Sequence, residues 1–367
     1  MSLFKLPKNL VNEIYRLSAR FWWGSSQDKQ KIHWCKWSRL CDSKGKGGLG
    51  FKDLGIFNKA FLAKQCWRIL KNKNSLAARV LKGCYFSDRE FMEAKIKPTC
   101  SFIWKSMGWG REIIVDGSRW KVGNGSKIRI YKDRWIPRPT TFRPLSPPFG
   151  DENALVSHLI TPSGGWNIEK IRNNFSAEDV EVVLSIPLSR SSWKDSIIWH
   201  YDQKEIYTVK NGYYVGRSQN FDPESSGEGG VARIFNAFWK GLWKIPIPGK
   251  IKLFMWRACN DFLPTNLYLA KRKIPIDLKC PLCKCKDETI LHALWGCRFL
   301  KVARSMWKAV KEDWYKGNSH FFDFILQCFS LLNSDERGLL CVVLWRTWSN
   351  RNAVVHGLPF DASEDIF

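Results

Sequence analysis

The sequence contains no pair of adjacent aspartates, the arrangement with which a polymerase active site brings carboxylates to its two metal ions. It also lacks the Gly-x4-Gly-Lys-Ser/Thr phosphate loop, the Gly-x-Ser-x-Gly nucleophile elbow and the His-Glu-x-x-His motif of zinc proteases. The triplet Asp116-Gly117-Ser118 does not indicate a two-metal nuclease, since no ordered set of further carboxylates follows it. These absences predict a protein that is not an enzyme and has no small-molecule substrate.

Long apolar runs are missing as well. No stretch approaches the ~20 uninterrupted apolar residues of a membrane helix, and residues 1–8 lack the apolar region and cleavage site of a signal peptide. We therefore expect no membrane partner and a location inside the cell, in the nucleus or the cytoplasm. In that reducing environment the 12 cysteines are expected to be free thiols and metal ligands, not disulfides.

Acidic residues are scarce, with 34 Asp and Glu against 59 Lys and Arg and a formal net charge of +25. Residues 1–150 hold 31 basic and 10 acidic residues, net +21, whereas residues 151–367 have a net charge of +4. This excess is larger than solubility requires, and it attracts polyanions, of which nucleic acid is the commonest inside cells. The charge predicts RNA or DNA as a partner, bound without sequence preference.

What the sequence does contain is a complete ligand set for one tetrahedral zinc ion: Cys280, Cys283, His292 and Cys297, in a Cys-x2-Cys-x8-His-x4-Cys array. Two cysteines that flank two residues form a knuckle, and His292 and Cys297 are about one helical turn apart. Four protein ligands leave no open position for water, so the predicted zinc is structural.

One ligand position has an alternative, and the residues before His292 predict a helix cap. Cys285 is an alternative to Cys283 as a ligand, although the knuckle spacing favours Cys283. Residues 287–289 precede an apolar run and are predicted to cap the helix that carries His292.

The fold class predicted from the pattern is α+β and mainly helical, with a basic helical N-terminal half and a C-terminal zinc-binding module. Apolar residues three and four apart predict helices over residues 6–23, 57–81 and 250–262. The turn at Gly123–Ser126 predicts a β-hairpin over residues 120–131. Ile198 and Ile206 each begin a predicted short strand.

Five prolines between positions 137 and 148 place a predicted domain boundary near residue 150. The predicted domains are a basic region over 1–150, a connector over 151–192, a zinc-binding domain over 193–312 and a helical tail over 313–367.

Basic residues interleaved with aromatic ones are the candidates for contacts with nucleic acid. The predicted basic contacts are Lys31, Lys36, Lys64, Arg68, Lys127 and Arg129. Most tryptophans are expected in the core, and those that are exposed are candidates for base stacking; the set considered is Trp34, Trp37, Trp104, Trp109, Trp120 and Trp135.

Several separate motifs carry a resemblance to a known family. They are Phe21–Gly24, Lys31–Trp34, Gly47–Phe51, Phe57-Asn58, Ala63–Gln65, Trp67-Arg68, Trp120–Gly125, Tyr207–Lys210, Gly212-Tyr213, Lys250–Phe254, Trp256-Arg257, Leu263–Thr265 and Trp345–Asn352. Together with the zinc array they resemble the region after the palm in plant non-LTR (LINE-type) retrotransposon reverse transcriptases. The resemblance implies that residues 193–312 are the zinc-binding domain of such a polyprotein.

By this resemblance, the chain begins after the palm and ends before the ribonuclease H domain, and is a non-catalytic remnant that binds nucleic acid. Only the four zinc ligands carry over residue by residue. Two alternatives remain: a domesticated, zinc-stabilised module whose partner is a protein, and an accessory part of an RNA-directed DNA polymerase whose palm is on another chain.

Overall fold

The computed structural model describes residues 2–26, 28–138, 141–148, 150–188, 194–219, 230–301, 304 and 317–359. Its helices and strands, in chain order, are α1 (Lys8–Trp23), α2 (Trp37–Cys41), α3 (Leu54–Lys71), α4 (Leu76–Tyr85), α5 (Phe102–Gly117), β1 (Ser118–Lys121), α6 (Ile168–Asn174), α7 (Ala177–Leu184), β2 (Ser196–Trp199), α8 (Val209–Gln219), α9 (Gly230–Lys244), α10 (Gly249–Cys259), α11 (Asn266–Lys271), α12 (Phe321–Leu331) and α13 (Ser334–Val355). The predicted class, α+β and mainly helical, is confirmed.

The chain divides into two compact units, each made of two separate segments. Unit 1 comprises residues 1–17 and 52–225, and unit 2 comprises residues 18–51 and 226–367. The boundaries between these units lie at other positions than the predicted domain boundaries near residues 150, 192 and 312. The predicted domains therefore stay predictions. The segment over residues 18–51 therefore belongs with the C-terminal residues and not with the rest of the basic N-terminal region.

The main core of unit 1 is formed by α3, α5 and α8, which pack against one another. Helix α3 begins at Asp53, whose side chain accepts a hydrogen bond from Ile56 N at 2.9 Å. Gly110 allows α5 to approach α3, because a Cβ at this position would lie 2.7 Å from Ala63 N. A second core lies between residues 122 and 188 and includes the small helices α6 and α7.

The predicted helices over 6–23 and 250–262 are confirmed as α1 and α10. The prediction of one continuous helix over 57–81 is wrong, because the chain leaves the helix after Lys71 and starts α4 at Leu76. Ser75 accepts a hydrogen bond from Ala78 N and so caps the new helix. A polar interruption of four residues is enough to end one apolar stripe and begin another.

The predicted hairpin over residues 120–131 is wrong, because the strand before the turn does not pair with residues 127–131, which follow the turn. β1 pairs antiparallel with β2, and Ser118 lies opposite Trp199. Beyond the turn, Ile130 N donates to the Ala154 carbonyl at 2.9 Å. The predicted strand at Ile198 is confirmed as β2, whereas the residues from Ile206 have no strand structure and lead directly into α8.

The reason for the altered pairing is Asp195. Its carboxylate accepts hydrogen bonds from the backbone N–H groups of Gly123, Gly125 and Lys127, at 2.8, 2.9 and 2.9 Å. Gly125 has a φ of +69°, which a side chain would strain. The turn therefore wraps around a carboxylate 70 residues away in sequence and does not close a hairpin.

Unit 2 has one large hydrophobic core, to which helices α9, α10, α12 and α13 contribute. Helix α13 begins with a capping box, in which Asn333 accepts from Glu336 N and the Glu336 side chain accepts from Asn333 N. Ala19, Trp23 and Leu40 from the segment 18–51 are buried in the same core. That segment is thus an integral part of unit 2.

Among the described residues, no helix combines the length and the apolar character needed to cross a membrane.

Candidate metal centre and basic surfaces

Four side chains of the zinc array converge in unit 2. The ligand atoms of Cys280, Cys283, His292 and Cys297 all lie within 4.8 Å of one another. Cys280 Sγ is 3.9 Å from Cys297 Sγ, and Cys283 Sγ is 3.3 Å from His292 Nε2. Zinc–sulfur bonds of about 2.3 Å in a tetrahedron separate two sulfurs by about 3.8 Å. The donor set and its spacing therefore fit a zinc ion.

The knuckle is built by a tight turn in the chain. Lys284 N donates to the Cys280 carbonyl, and Cys280 N donates to the Lys286 carbonyl, both at 2.8 Å. Lys284 has a φ of +54°, the left-handed conformation that reverses the chain. Cys285 is exposed and is not among the converging side chains. The turn thus aims Cys280 and Cys283 inward and leaves the spare thiol outside.

His292 is presented by a short helical segment that begins at residue 290. His292 N donates to Thr289 Oγ1 at 3.0 Å, so the predicted capping is confirmed for Thr289. Residues His292–Gly296 form a single π-helical turn, a wider turn than that of an α-helix. Cys297 follows this turn directly, so the ring of His292 and the sulfur of Cys297 lie in the same cluster.

The two neighbours of Thr289 have other roles than capping. Asp287 pairs with the exposed Lys279, whereas Glu288 is fully buried and forms a bidentate ion pair with Arg351 of α13. Glu288 Oε1 lies 2.7 Å from Arg351 Nε, and Oε2 lies 2.6 Å from Nη2. Glu288 Oε2 also accepts from Asn266 N at 2.7 Å. This pair joins the segment beside His292 to α11 and α13.

Sequence reasoning did not find the Glu288–Arg351 pair. The partners are 63 residues apart, and neither belongs to a local motif that indicates the other. The one available signal was a pair of acidic residues, Asp287 and Glu288, shortly before an apolar run, which is also the signal for a helix cap.

Electrostatics inside the cluster favour a cation. The hydrogen bond between the two sulfurs lowers the pKa of Cys280 and raises that of Cys297. Buried sulfurs in this arrangement share protons, since adjacent thiolates repel each other. A divalent cation is the group that stabilises several thiolates together. Arg298 and Arg304 add positive charge nearby by donating to the Cys283 and Cys297 carbonyls at 3.0 and 2.7 Å.

The six predicted basic contacts are not brought together on one unit. Lys64, Arg68 and Lys127 are exposed in unit 1, whereas Lys31 and Lys36 are exposed in unit 2.

Arg129, in unit 1, forms a bidentate pair with Asp133, at 3.1 and 3.0 Å. Its charge is therefore already compensated within the chain.

The net charge is shared almost equally between the units. Unit 1 holds 31 basic and 19 acidic residues, net +12, and unit 2 holds 28 basic and 15 acidic residues, net +13. The contrast between the two halves of the sequence disappears because the basic segment 18–51 belongs to unit 2 and the acidic residues of 151–225 belong to unit 1.

Of the six tryptophans considered for stacking, two are core residues. Trp104 and Trp135 are fully buried, and Trp135 Nε1 donates to the Ile130 carbonyl at 2.8 Å. The remaining four are partly buried: Trp34, Trp37, Trp109 and Trp120.

Comparisons with known proteins identify a zinc-binding domain in the same part of the chain. The family profile described as zinc-binding in reverse transcriptase matches residues 207–309, which include all four converging side chains. An Arabidopsis thaliana protein named as a ribonuclease H protein is 30% identical over 310 residues, covering 81% of this chain and 47% of that protein. An uncharacterized mitochondrial protein of Arabidopsis thaliana is 40% identical over 147 residues, covering 40% of this chain and 96% of that protein.

The chain spans about half the length of the first of these relatives and nearly the whole of the second. The matched profile and the buried Cys3His cluster agree on the same segment. The chain therefore belongs to the retrotransposon reverse transcriptase-related proteins that contain this zinc-binding domain.

Proposed function

We propose that this chain is a non-catalytic part of a reverse transcriptase-like protein that binds one structural zinc ion and binds nucleic acid through its basic surfaces. The observation that carries the zinc assignment is the convergence of four buried or nearly buried ligand atoms within 4.8 Å. Cys280, Cys283, His292 and Cys297 would hold the ion. Bound zinc supplies cross-linking of two chain segments, and its four protein ligands leave no position for substrate.

The chemistry of the surroundings supports a structural role. Cys280 and Cys297 have no exposed surface, so solvent has little access to the centre. The chain on either side of the knuckle is joined by backbone hydrogen bonds from Cys280 N to the Lys286 carbonyl and from Glu288 N to the Leu278 carbonyl, and Glu288 anchors this junction to α13. A metal that cross-links such a segment contributes directly to folding.

The zinc assignment is tested by metal analysis of the purified full chain. Wild type is expected to contain one zinc ion per chain, and Cys297→Ser is expected to contain much less. Cys285→Ser is the matched control, because it removes a nearby thiol that is exposed and is not among the converging side chains, and it should retain the full zinc content. Loss of zinc from Cys285→Ser, or full zinc in Cys297→Ser, would refute the ligand set.

The charge distribution supports nucleic-acid binding. Both units carry a large positive charge, and Lys64 and Arg68 are exposed one helical turn apart on α3. Contacts of this kind are made to phosphates, so binding should be tolerant of sequence and should weaken strongly with salt. The relevant measurement is filter binding of single- and double-stranded DNA and RNA at low and high salt. Undetectable binding at low salt, or an affinity that salt does not change, would contradict the proposal.

The absence of catalysis is part of the proposal and has its own test. Primer extension and RNA-cleavage assays with the purified chain and Mg²⁺ should give no product. Activity that remains after repeated purification would refute the non-catalytic assignment without affecting the zinc or the binding proposals.

A further inference from the structure

The segment 18–51 is fixed on the C-terminal ends of two helices of unit 2. Trp256 Nε1 of α10 donates to the Gly47 carbonyl at 2.8 Å. Arg39 Nη2 donates to Asn260 Oδ1, at the end of α10, at 3.3 Å. Arg272 Nη2, at the end of α11, donates to the Trp34 carbonyl at 2.8 Å. Two of these three bonds are donated by guanidinium groups, one from the segment itself and one from the residue that follows α11.

We call the group formed by Trp34, Arg39, Arg257 and Arg272 the arginine–tryptophan surface; Arg257 packs against the ring of Trp23, which is itself buried in the core. The Arg272 guanidinium lies 5.7 Å from the centroid of the Trp34 ring, and that of Arg257 lies 5.8 Å from the Trp23 ring. Arg39 and Arg272 are exposed, and Trp34 is half-buried. Cationic planes and aromatic rings thus occupy the same surface.

The positive charge of this surface is only partly compensated. Asp42 lies 3.9 Å from Arg39, but among the described residues neither Arg257 nor Arg272 forms an ion pair with a carboxylate. Arg257 Nε is buried and has no hydrogen-bond partner within the described ranges. Burial lowers the pKa of Arg257, which means that its charge is desolvated without a matching anion.

The charges of Arg39 and Arg272 also act on a common residue. Burial raises the pKa of the Cys35 thiol to about 11, and the positive charges of Arg39 and Arg272 both oppose this increase. Both guanidinium groups therefore lie near Cys35, the residue that follows Trp34 in sequence. Lys31 and Lys36 are also exposed on the same segment.

We infer that the arginine–tryptophan surface is a binding site for single-stranded nucleic acid, with phosphates on the guanidinium groups and unpaired bases against the planes of Trp34 and Arg272. This inference rests on the proposed function and assigns the ligand class to unit 2. Arginine binds phosphate through two parallel N–H groups. Bases stack on aromatic rings and on guanidinium planes, and such stacking tolerates any sequence.

The combination favours an unpaired strand over the other polyanions. In a duplex the base faces are covered by their neighbours, so a duplex reaches only the charges of this surface. An acidic peptide also reaches only the charges, because it has no flat ring to place against Trp34. A single strand is the ligand that uses both the charge and the planes.

The first test compares two charge-removing variants of the full chain. Arg39→Gln/Arg272→Gln removes two charges from the surface, and the matched control Lys64→Gln/Arg68→Gln removes two exposed charges from unit 1. The probe is an oligonucleotide of about 20 nucleotides, single-stranded or paired. The unit 2 variant should lose about tenfold in affinity for the single strand. It should lose less for the duplex, which loses the charge contacts but has no stacking on Arg272 to lose, whereas the control should weaken both forms to the same extent.

The outcomes separate the inference from the proposed function. If wild type shows no salt-dependent binding at all, the proposed function fails. If wild type binds but Arg39→Gln/Arg272→Gln keeps its full preference for the single strand, only the location fails. Competition by polyglutamate as strong as competition by the oligonucleotide would overturn the ligand class and favour an acidic protein partner.

A second measurement needs no substitution and so avoids variants that fold poorly. Arg272 also bonds to the Trp34 backbone, and its replacement could loosen the segment. Wild-type protein is therefore photo-cross-linked to a 5-iodouracil oligonucleotide and digested. Cross-links in the peptides that contain Trp34 or Arg272 are expected. Cross-links confined to unit 1 would overturn the inference.

Discussion

Unit 1 and unit 2 are stabilised by different kinds of contact. Unit 1 is centred on three packed helices, with fully buried Trp104 and Ile113 in α5, and its buried carboxylates Asp179 and Asp195 accept hydrogen bonds from loop backbone. Unit 2 buries a Cys3His cluster and a bidentate ion pair. Unit 1 also buries an ion pair, between Asp179 and Arg138 at 2.7 Å, so what distinguishes unit 2 among the described residues is the Cys3His cluster and the zinc ion proposed to bind there.

Removal of zinc is expected to have the largest effect and to affect one unit only. A structural zinc site contributes on the order of 10 kcal/mol of apparent folding free energy, which is comparable to the whole stability of a typical domain. A chelator should therefore abolish amide protection in α10, α12 and α13 and leave α3 and α5 protected. Hydrogen exchange with mass spectrometry measures both units in one sample.

The control for this experiment is a pair of cysteine variants. Cys283→Ser should show the exchange pattern of the chelated protein without any chelator, and Cys285→Ser should behave as wild type. If chelation leaves unit 2 protected, or exposes α3 together with α10, the two units do not differ in the way proposed.

The buried ion pair is the second way to separate the units. Arg351→Met leaves the Glu288 carboxylate buried without its cation, which should destabilise unit 2 by about 3–5 kcal/mol. Glu288→Gln/Arg351→Met should recover part of this loss, because no uncompensated charge remains. Urea unfolding of the zinc-saturated protein, followed by hydrogen exchange in each unit, gives the comparison.

Lys279→Gln is the matched control for the ion pair. It breaks the pair with Asp287 in the same unit, but both partners are exposed, so the unfolding midpoint should change little. Equal effects of Lys279→Gln and Arg351→Met would show that burial of the Glu288 pair has no energetic consequence.

Local features were predictable from the sequence. These features are the presence of α1 and α10, the end of α1 at Trp23, the cap at Thr289 and the convergence of the four zinc ligands. Each depends on residues within about one or two helical turns, or on a ligand spacing with a defined geometry. The end of α10 was predicted less well, because the helix ends at Cys259 and not at residue 262. The interruption between α3 and α4 was also local, and the polar residues before Ser75 would have revealed it.

The features that were missed all depend on distant partners. β1 pairs with β2 because Asp195 holds the turn 70 residues earlier. Arg351 meets Glu288 across 63 residues, and the segment 18–51 joins the zinc-containing unit through contacts such as Trp256 with Gly47. No local pattern encodes these partners. For the same reason, the charge count over residues 1–150 assigned the excess of positive charge to one half of the chain, whereas the two units share it.

Asp195→Ala is expected to affect unit 1 alone and by a smaller amount. It leaves three backbone N–H groups of the turn without their acceptor, which should cost about 2–3 kcal/mol. Asp195→Asn keeps one acceptor oxygen and should cost less. Urea unfolding measures the loss, and hydrogen exchange should place it in β1 and residues 122–130. A loss of protection in α10 or α13 instead would contradict the separation of the units.

The smallest expected effect tests whether packing stabilises unit 1. In Gly110→Ala the new methyl group would lie 2.7 Å from Ala63 N and from the Leu62 carbonyl carbon; backbone cannot move aside as a flexible side chain can, so α3 and α5 must separate. Overpacking of this kind costs about 1–3 kcal/mol. Gly83→Ala is the matched control, since this helical glycine has no atom within 4 Å of the added Cβ, and it should stabilise α4 by about 0.5–1 kcal/mol. Thermal unfolding should therefore shift in opposite directions, with zinc content unchanged in both variants. A tolerated Gly110→Ala would mean that the α3–α5 contact is looser than its geometry indicates.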